Sequence, residues 1–296
     1  SRCEWVEEKD RYEIRQVTGP DEWHEPVNNN LYTNYLARWN LRYVMSLIHS
    51  MEKEHPQEYR KLIEKTGLTK EEMKKWEHVQ AKMYLPRKEG TDLLEQFEGY
   101  FDLENVIIEK YDKNDWPVRP EALNHMNKSQ TQIIKQADVV MLLHLLGEEF
   151  DPEMIRLNYS YYEKRTLHGS SLSPSIYSVM GLKVGDDSKA YRYLRRAALI
   201  DLLNLQKNTR EGIHAANTGG VWQTVVFGFA GVSVEEDGIL HIRPNMPKEW
   251  KGLTFRLHYL GSWIEISVTE DNQAQVKLLA GEHTKVNING TITEVQ

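Results

Sequence analysis

Four stretches of the sequence carry residue types that turns and helix caps do not by themselves require: GPDEWHEPVNNN (19–30), IKQAD (134–138), LHGSSLS (167–173) and EGIHAANTGG (211–220). In the first, Gly19 and Pro20 turn the chain and set Glu22 beside Trp23, whose indole can exclude water and raise a carboxyl pKa into the range of a general acid. Such a group protonates a departing oxygen. The competing reading makes Asp21, Glu22 and Glu25 solvated loop acids near a helix N-terminus, where negative charge is favourable. Asn28, Asn29 and Asn30 suit turn formation and bonding to hydroxyls equally. In the second stretch Lys135 and Gln136 fall inside an apolar helix, and a charge or amide there needs a partner, either a salt bridge or a polar ligand.

The third and fourth stretches share a logic. His168, Gly169, Ser170 and Ser171 lead into one helix, and His214 with Gly219 and Gly220 leads into another. Free N–H groups, hydroxyls and an imidazole at helix starts suit an anion such as phosphate, although each stretch alone reads first as a helix cap. No Walker-type or dinucleotide glycine pattern accompanies them, and the histidines lack the spacing of a metal site, so no metal and no cofactor is expected. As a set, one carboxylic acid, sugar-compatible amides and aromatics, and two anion-suited helix starts match phosphorolysis of a glycoside. An inverting hydrolase needs a second carboxylate to activate water, whereas phosphate is already a nucleophile.

The elements that must position these groups follow from periodicity. From Tyr32 to about residue 230 the pattern is helical: Leu36, Trp39, Leu41, Val44, Leu47, Ile48 and Met51 give the first helix a wide apolar face, and Thr69 caps a charged second one. Thr33, Asn34 and Asn30 are read as caps of the first helix. Residues 85–120 are irregular. The run SQTQIIKQADVVMLLHLLG then predicts a helix capped by Ser129, stopped by Gly147 and apolar nearly all round. Further helices are expected over 151–165, 173–182, 186–208 and 219–231. After Gly231 the period changes to two, with DG, LG, DN and NG turns, which predicts an antiparallel β-domain. The boundary is placed between residues 1–231 and 232–296.

Composition excludes several classes. With 44 acidic against 37 basic residues and a net charge of −7, no Lys/Arg patch points to nucleic acid or an anionic membrane. The single Cys3 excludes an intrachain disulfide framework, no apolar run is long enough to span a bilayer, and a cytoplasmic setting is the default. Eight Trp and fifteen Tyr fill cores first and hint only weakly at sugar stacking. The chain opens without Met on SRCEWVEEKDRYEIRQV, an alternating, strand-like segment that reads as the middle of a longer protein.

GPDEWHEPVNNNLYTN, IKQADVV, YEKRTLHGSSLS and IHAANTGGVWQTVVFGFAG resemble, in that order, the inverting α-glucoside phosphorylases of glycoside hydrolase family 65, over residues 1 to about 260. The resemblance implies a mainly α chain with a β tail: the second half of an (α/α)6 barrel followed by a small antiparallel β-sandwich. It implies Glu22 as general acid, Lys135 and Gln136 on the glucosyl unit, and Ser170, Ser171, His214, Gly219 and Gly220 at phosphate. The partners implied are an α-glucoside, inorganic phosphate as substrate, the N-terminal half of the same enzyme on the same or a second chain, and a homodimer. The acceptor is open: residues 52–120 look long for the maltose and kojibiose types, and a glycerol acceptor fits as well. An inverting α-glucosidase of the same fold and a non-catalytic carbohydrate-binding fragment are the alternatives. The first would need a base carboxylate, and residues 166–178 hold none.

Overall fold

A computed structural model describes residues 2–114, 116–235 and 237–295. The chain forms two compact units, the first running to Leu167 and the second starting at His168.

The first unit opens with a hairpin of β1 (Glu4–Val6) and β2 (Arg11–Glu13), in which Trp5 faces Tyr12. Glu13 in β2 is almost fully buried. Burial opposes its ionisation, but hydrogen bonds from Arg11 and Arg15 overcome that and hold its carboxyl down at about 2. Helix α1 (Leu31–Glu54) starts at Asn30, whose side chain accepts from the Thr33 N–H at 2.9 Å. Thr33 and Asn34 therefore lie inside the helix and do not cap it. His55 precedes a proline and leaves the α region, so the chain breaks there, and Pro56 begins α2 (Pro56–Thr66), a helix that periodicity alone did not separate from its neighbours. Helix α3 (Lys70–Lys82) has the expected Thr69 cap on the Glu72 N–H and packs Val79 with Tyr12, Ile14 and Met83.

The expected helix from Ser129 to Gly147 is much shorter. Asn127, not Ser129, caps a single 3-10 turn over Lys128–Gln130, and α4 spans only Val139–Leu145. Between them the chain is extended. Gln132 N–H donates to Glu104 O at 2.9 Å, Ile134 N–H to Arg165 O at 2.8 Å, and Ile134 O accepts from Leu167 N–H at 3.0 Å. The physical reason is that an apolar run buried on every side carries no period to separate helix from strand, and Thr131, Ile133 and Ile134 are β-branched. Helix α5 (Pro152–Glu163), capped by Asp151, closes the unit and returns the chain beside this segment.

In the second unit α6 (Ser173–Val184) is buried along most of its length, and α7 (Asp187–Leu199) packs on it; α7 stops nine residues short of the expected 208. Helix α8 (Ala215–Gln223) runs into a π-helical turn over Thr224–Phe229. Helix gives way to strand at Val232 (β3, Val232–Val234) across Gly231, whose φ is +62° and where an added Cβ would meet the Arg243 carbonyl oxygen at 1.9 Å, so only glycine fits. Strands β4 (Leu240–Ile242), β8 (Thr284–Ile288) and β9 (Thr291–Val295) join β3 in one sheet; β5 (Gly252–Tyr259), β6 (Ser262–Thr269) and β7 (Ala274–Ala280) form another. The tail is not wholly antiparallel: β4 and β8 pair parallel, Leu240 against Val286 and Ile242 against Ile288. Hairpin turns predict neighbours within a hairpin; they say nothing of a return across 41 residues from Ile242 to β8, which is where the parallel pair arises. Ile264, Ile266 and Val268 of β6 pack with Ile242 and Val286 in the core.

Candidate functional site

The first unit brings Glu22, Lys135 and Gln136 together. Lys135 Nζ is ion-paired with the Glu22 carboxylate, and Gln136 Nε2 donates to the Pro20 carbonyl. Neither residue is in a helix; both lie in the extended segment before α4, which the loop 19–24 faces. The Glu22 side chain is 52% exposed, so the expectation that Trp23 would desolvate it is not met. Trp23 packs instead against Ile108, Leu123 and Ile133, with Lys128 Nζ 4.6 Å from its ring centre. Gln136 Oε1 is buried and has no hydrogen-bond partner among the described residues.

Behind Glu22 lies a buried polar network that sequence reasoning did not find. Asp21 is buried, and its Oδ1 accepts from Lys135 N–H at 2.8 Å and Trp23 N–H at 3.4 Å; its Oδ2 accepts from Gln96 Nε2 at 3.2 Å and pairs with His24 Nδ1 at 2.6 Å. The other ring nitrogen of His24 donates to the Thr131 carbonyl at 2.8 Å. Asp138, the first residue after IKQA, accepts from Asp21 N–H at 3.2 Å and Asn30 Nδ2 at 3.1 Å. Complete burial, reinforced by the charge of Asp21 and only partly offset by those bonds, pushes the Asp138 carboxyl up to about 8. Gly19 permits this closure, since a Cβ there would meet Asn30 Nδ2 at 2.4 Å and Asp138 Oδ2 at 2.6 Å.

All three asparagines are structural. Asn28 Oδ1 accepts from Gln16 N–H, Asn29 links Ile14 N–H to Glu98, and Asn30 caps α1 while holding Asp138. The signal available in sequence was that these side chains sit beside a helix start; their partners lie up to 108 residues away and leave no local pattern.

In the second unit Ser170 and Ser171 are part-buried in the turn leading into α6, with Ser173 N–H donating to Ser170 O at 3.3 Å. His168 is committed to packing within the fold. Its Nδ1 bonds Ser173 Oγ at 2.9 Å, its Nε2 bonds Tyr193 OH at 3.2 Å, and burial, helped by Arg196, pushes it down to about 3, so it is neutral. His214 stands at the N-cap of α8. Asp201, another residue the sequence did not reveal, accepts from the His214 backbone N–H at 2.9 Å and bonds its Nδ1 at 2.5 Å, which aims Nε2 toward Asn208 Nδ2 at 3.3 Å. Gly220 sits where a Cβ would meet Ser175 Oγ at 2.5 Å and Ser175 Cβ at 2.9 Å, so helix packing of α8 on α6 requires it; nothing lies within 4 Å of a Cβ at Gly219.

The family model for the glycosyl hydrolase family 65 central catalytic domain matches residues 1–223, and that for the family's C-terminal domain matches residues 234–295. The chain belongs to glycosyl hydrolase family 65. Among its family 65 relatives, a kojibiose phosphorylase of Thermoanaerobacter brockii is 49% identical over 98% of this chain and 37% of its own length. An α,α-trehalose phosphorylase of the same organism is 38% identical over 92% of this chain and 35% of its own. A solved structure, a kojibiose phosphorylase candidate from the human microbiome, superposes with a TM-score of 0.84 at 30% identity, covering all of this chain and 40% of that one. The chain thus spans little more than a third of the length of the curated relatives it matches. The fold shared with them is mainly helical with a small β-sheet domain at the C-terminal end. Among the described residues, no helix is long and apolar enough to cross a membrane.

Proposed function

We propose that this chain is the acid-bearing part of an inverting α-glucoside phosphorylase, comprising the second half of an (α/α)6 barrel and a C-terminal β-domain. Phosphate attacks the anomeric carbon, the glycosidic C–O bond breaks, and Glu22 gives its proton to the departing oxygen, leaving β-glucose 1-phosphate and a free acceptor. Lys135 and Gln136 hold the glucosyl unit. Ser170 and Ser171, together with His214 at the α8 start and Gly219 and Gly220 farther along that helix, hold phosphate. No cofactor takes part. The rest of a family-length polypeptide completes the site, the whole working as a cytoplasmic homodimer.

The observation that carries this reading is the cluster of Glu22, Lys135 and Gln136, with a buried Gln136 Oε1 left to accept from a sugar hydroxyl. It favours phosphorolysis over hydrolysis because the two buried carboxyls beside Glu22 are unsuited to activating water: Asp21 is saturated by N–H donors, and Asp138 is buried and protonated at neutral pH. The test is to incubate the complete enzyme with an α-glucoside, with and without phosphate. Glucose 1-phosphate formed only with phosphate is the expected result; hydrolysis at the same rate without it overturns the proposal in favour of a glucosidase.

The same assay checks the anion site. A phosphate hydroxyl donating to His214 Nε2 takes the place of the Asn208 amide there, and a hydrogen bond with a charged group contributes about 1.5–3 kcal/mol. His214→Ala is therefore expected to raise the phosphate KM about tenfold or more while the glucoside KM changes little; an unchanged phosphate KM removes His214 from the site.

A further inference from the structure

The polar network under Glu22 has a chemical logic of its own, and the inference drawn from it rests on Glu22 being the acid. Asp21 receives N–H groups from Lys135, Trp23 and Gln96. His24 is bonded at both ring nitrogens, Nδ1 to the Asp21 carboxyl and Nε2 to the Thr131 carbonyl. The pair is buried, with Asp21 1% and His24 3% exposed, whereas Glu22 between them points outward.

Each member of the pair has a bond that crosses to the other segment. Asp21 to Lys135 and His24 to Thr131 pin the loop that carries Glu22 to the extended segment that carries Lys135 and Gln136, at positions 114 and 107 residues apart in sequence. Phe97 and Tyr100 pack against the His24 ring at 5.3 and 6.2 Å and fix its plane. Apart from its partly solvated ion pair with Lys135, the Glu22 side chain is placed by the backbone that carries it, and the buried residues on either side fix that backbone.

The geometry points to the Asp21–His24 pair as the positioning unit of the Glu22 acid, setting where its carboxyl stands relative to Lys135 and Gln136 and so to the departing oxygen. The pair touches no reacting atom.

A double-mutant cycle in the complete enzyme tests this, using Asp21→Asn, Glu22→Gln and both together, on an unactivated α-glucoside and on one with an activated aryl leaving group that needs little protonation. Asp21→Asn is expected to lower kcat on the unactivated glucoside roughly 10- to 100-fold, the scale of a misplaced catalytic group, with little change in KM and little loss on the aryl glucoside. The double variant is expected to be no slower than Glu22→Gln alone. Equal losses on both substrates, or additive losses in the double variant, overturn the positioning role and leave Glu22 as the acid. Near wild-type activity of Glu22→Gln instead overturns the reading of Glu22 itself. His24→Gln, which keeps a donor toward Thr131 but gives up the pair with Asp21, runs the same cycle if Asp21→Asn does not fold, with the same pattern expected and the same outcomes decisive.

Discussion

Glu22→Gln is expected to lower kcat/KM for phosphorolysis of an unactivated α-glucoside by about 10²- to 10⁴-fold, the range that a positioned general acid supplies. The amide keeps the shape of the carboxyl and cannot donate a proton to the leaving oxygen. Because the loss belongs to bond cleavage, it should fall on kcat more than on KM, and it should shrink sharply with an activated aryl leaving group. The fold should be indifferent: the Glu22 side chain is half exposed, and its ion pair with Lys135 is partly solvated, a class of interaction that contributes roughly 0–1 kcal/mol. A melting temperature near that of the parent, together with the substrate-selective loss, distinguishes removal of the acid from damage to the loop. Turnover near wild type on the unactivated glucoside rejects Glu22.

What the sequence made legible follows from what is local. Thr69 as a cap, the amphipathic α1 and the change of period at Val232 are each written within a few residues, and all three are present. The extended segment 131–137 was not, because an apolar run with its polar groups bonded to Glu104, Arg165 and Leu167 owes its conformation to partners distant in sequence. The same holds at the candidate site. Four motifs stood out by residue type, and the residues Glu22, Lys135 and Gln136 that the first two supplied do meet. Asp21, His24 and Asp138 belong to those same motifs, yet their roles depend on burial and on each other. Nothing in DEWH says that the first acid is buried and saturated while the second faces outward; adjacent in sequence, they differ from 1% exposure at Asp21 to 52% for the Glu22 side chain.

Asp138 turns that buried network into a pH-dependent one. Its carboxyl is raised to about 8 by burial, with Asp21 adding to the rise, so the folded protein holds a proton there that the unfolded chain has released above its ordinary value of 3.8. The folded state binds more protons across that interval, and stability therefore falls as pH rises from about 4 to about 8, by linkage on the order of 5 kcal/mol. Ionising Asp138 sets a second charge against Asp21, and the neighbouring Tyr32 and Tyr162 offer it no cation. Asp138→Asn is close to an isostere of the protonated acid and cannot ionise; its amide oxygen can still accept from Asp21 N–H and Asn30. The variant should match the parent within about 1 kcal/mol near pH 4 and exceed it near pH 8.5. The difference between the two melting curves isolates Asp138, since Glu13 and the other shifted carboxyls are common to both. Parallel curves across that range would mean that Asp138 stays ionised in the fold. A widening gap would show that the folded protein holds the Asp138 proton through that range.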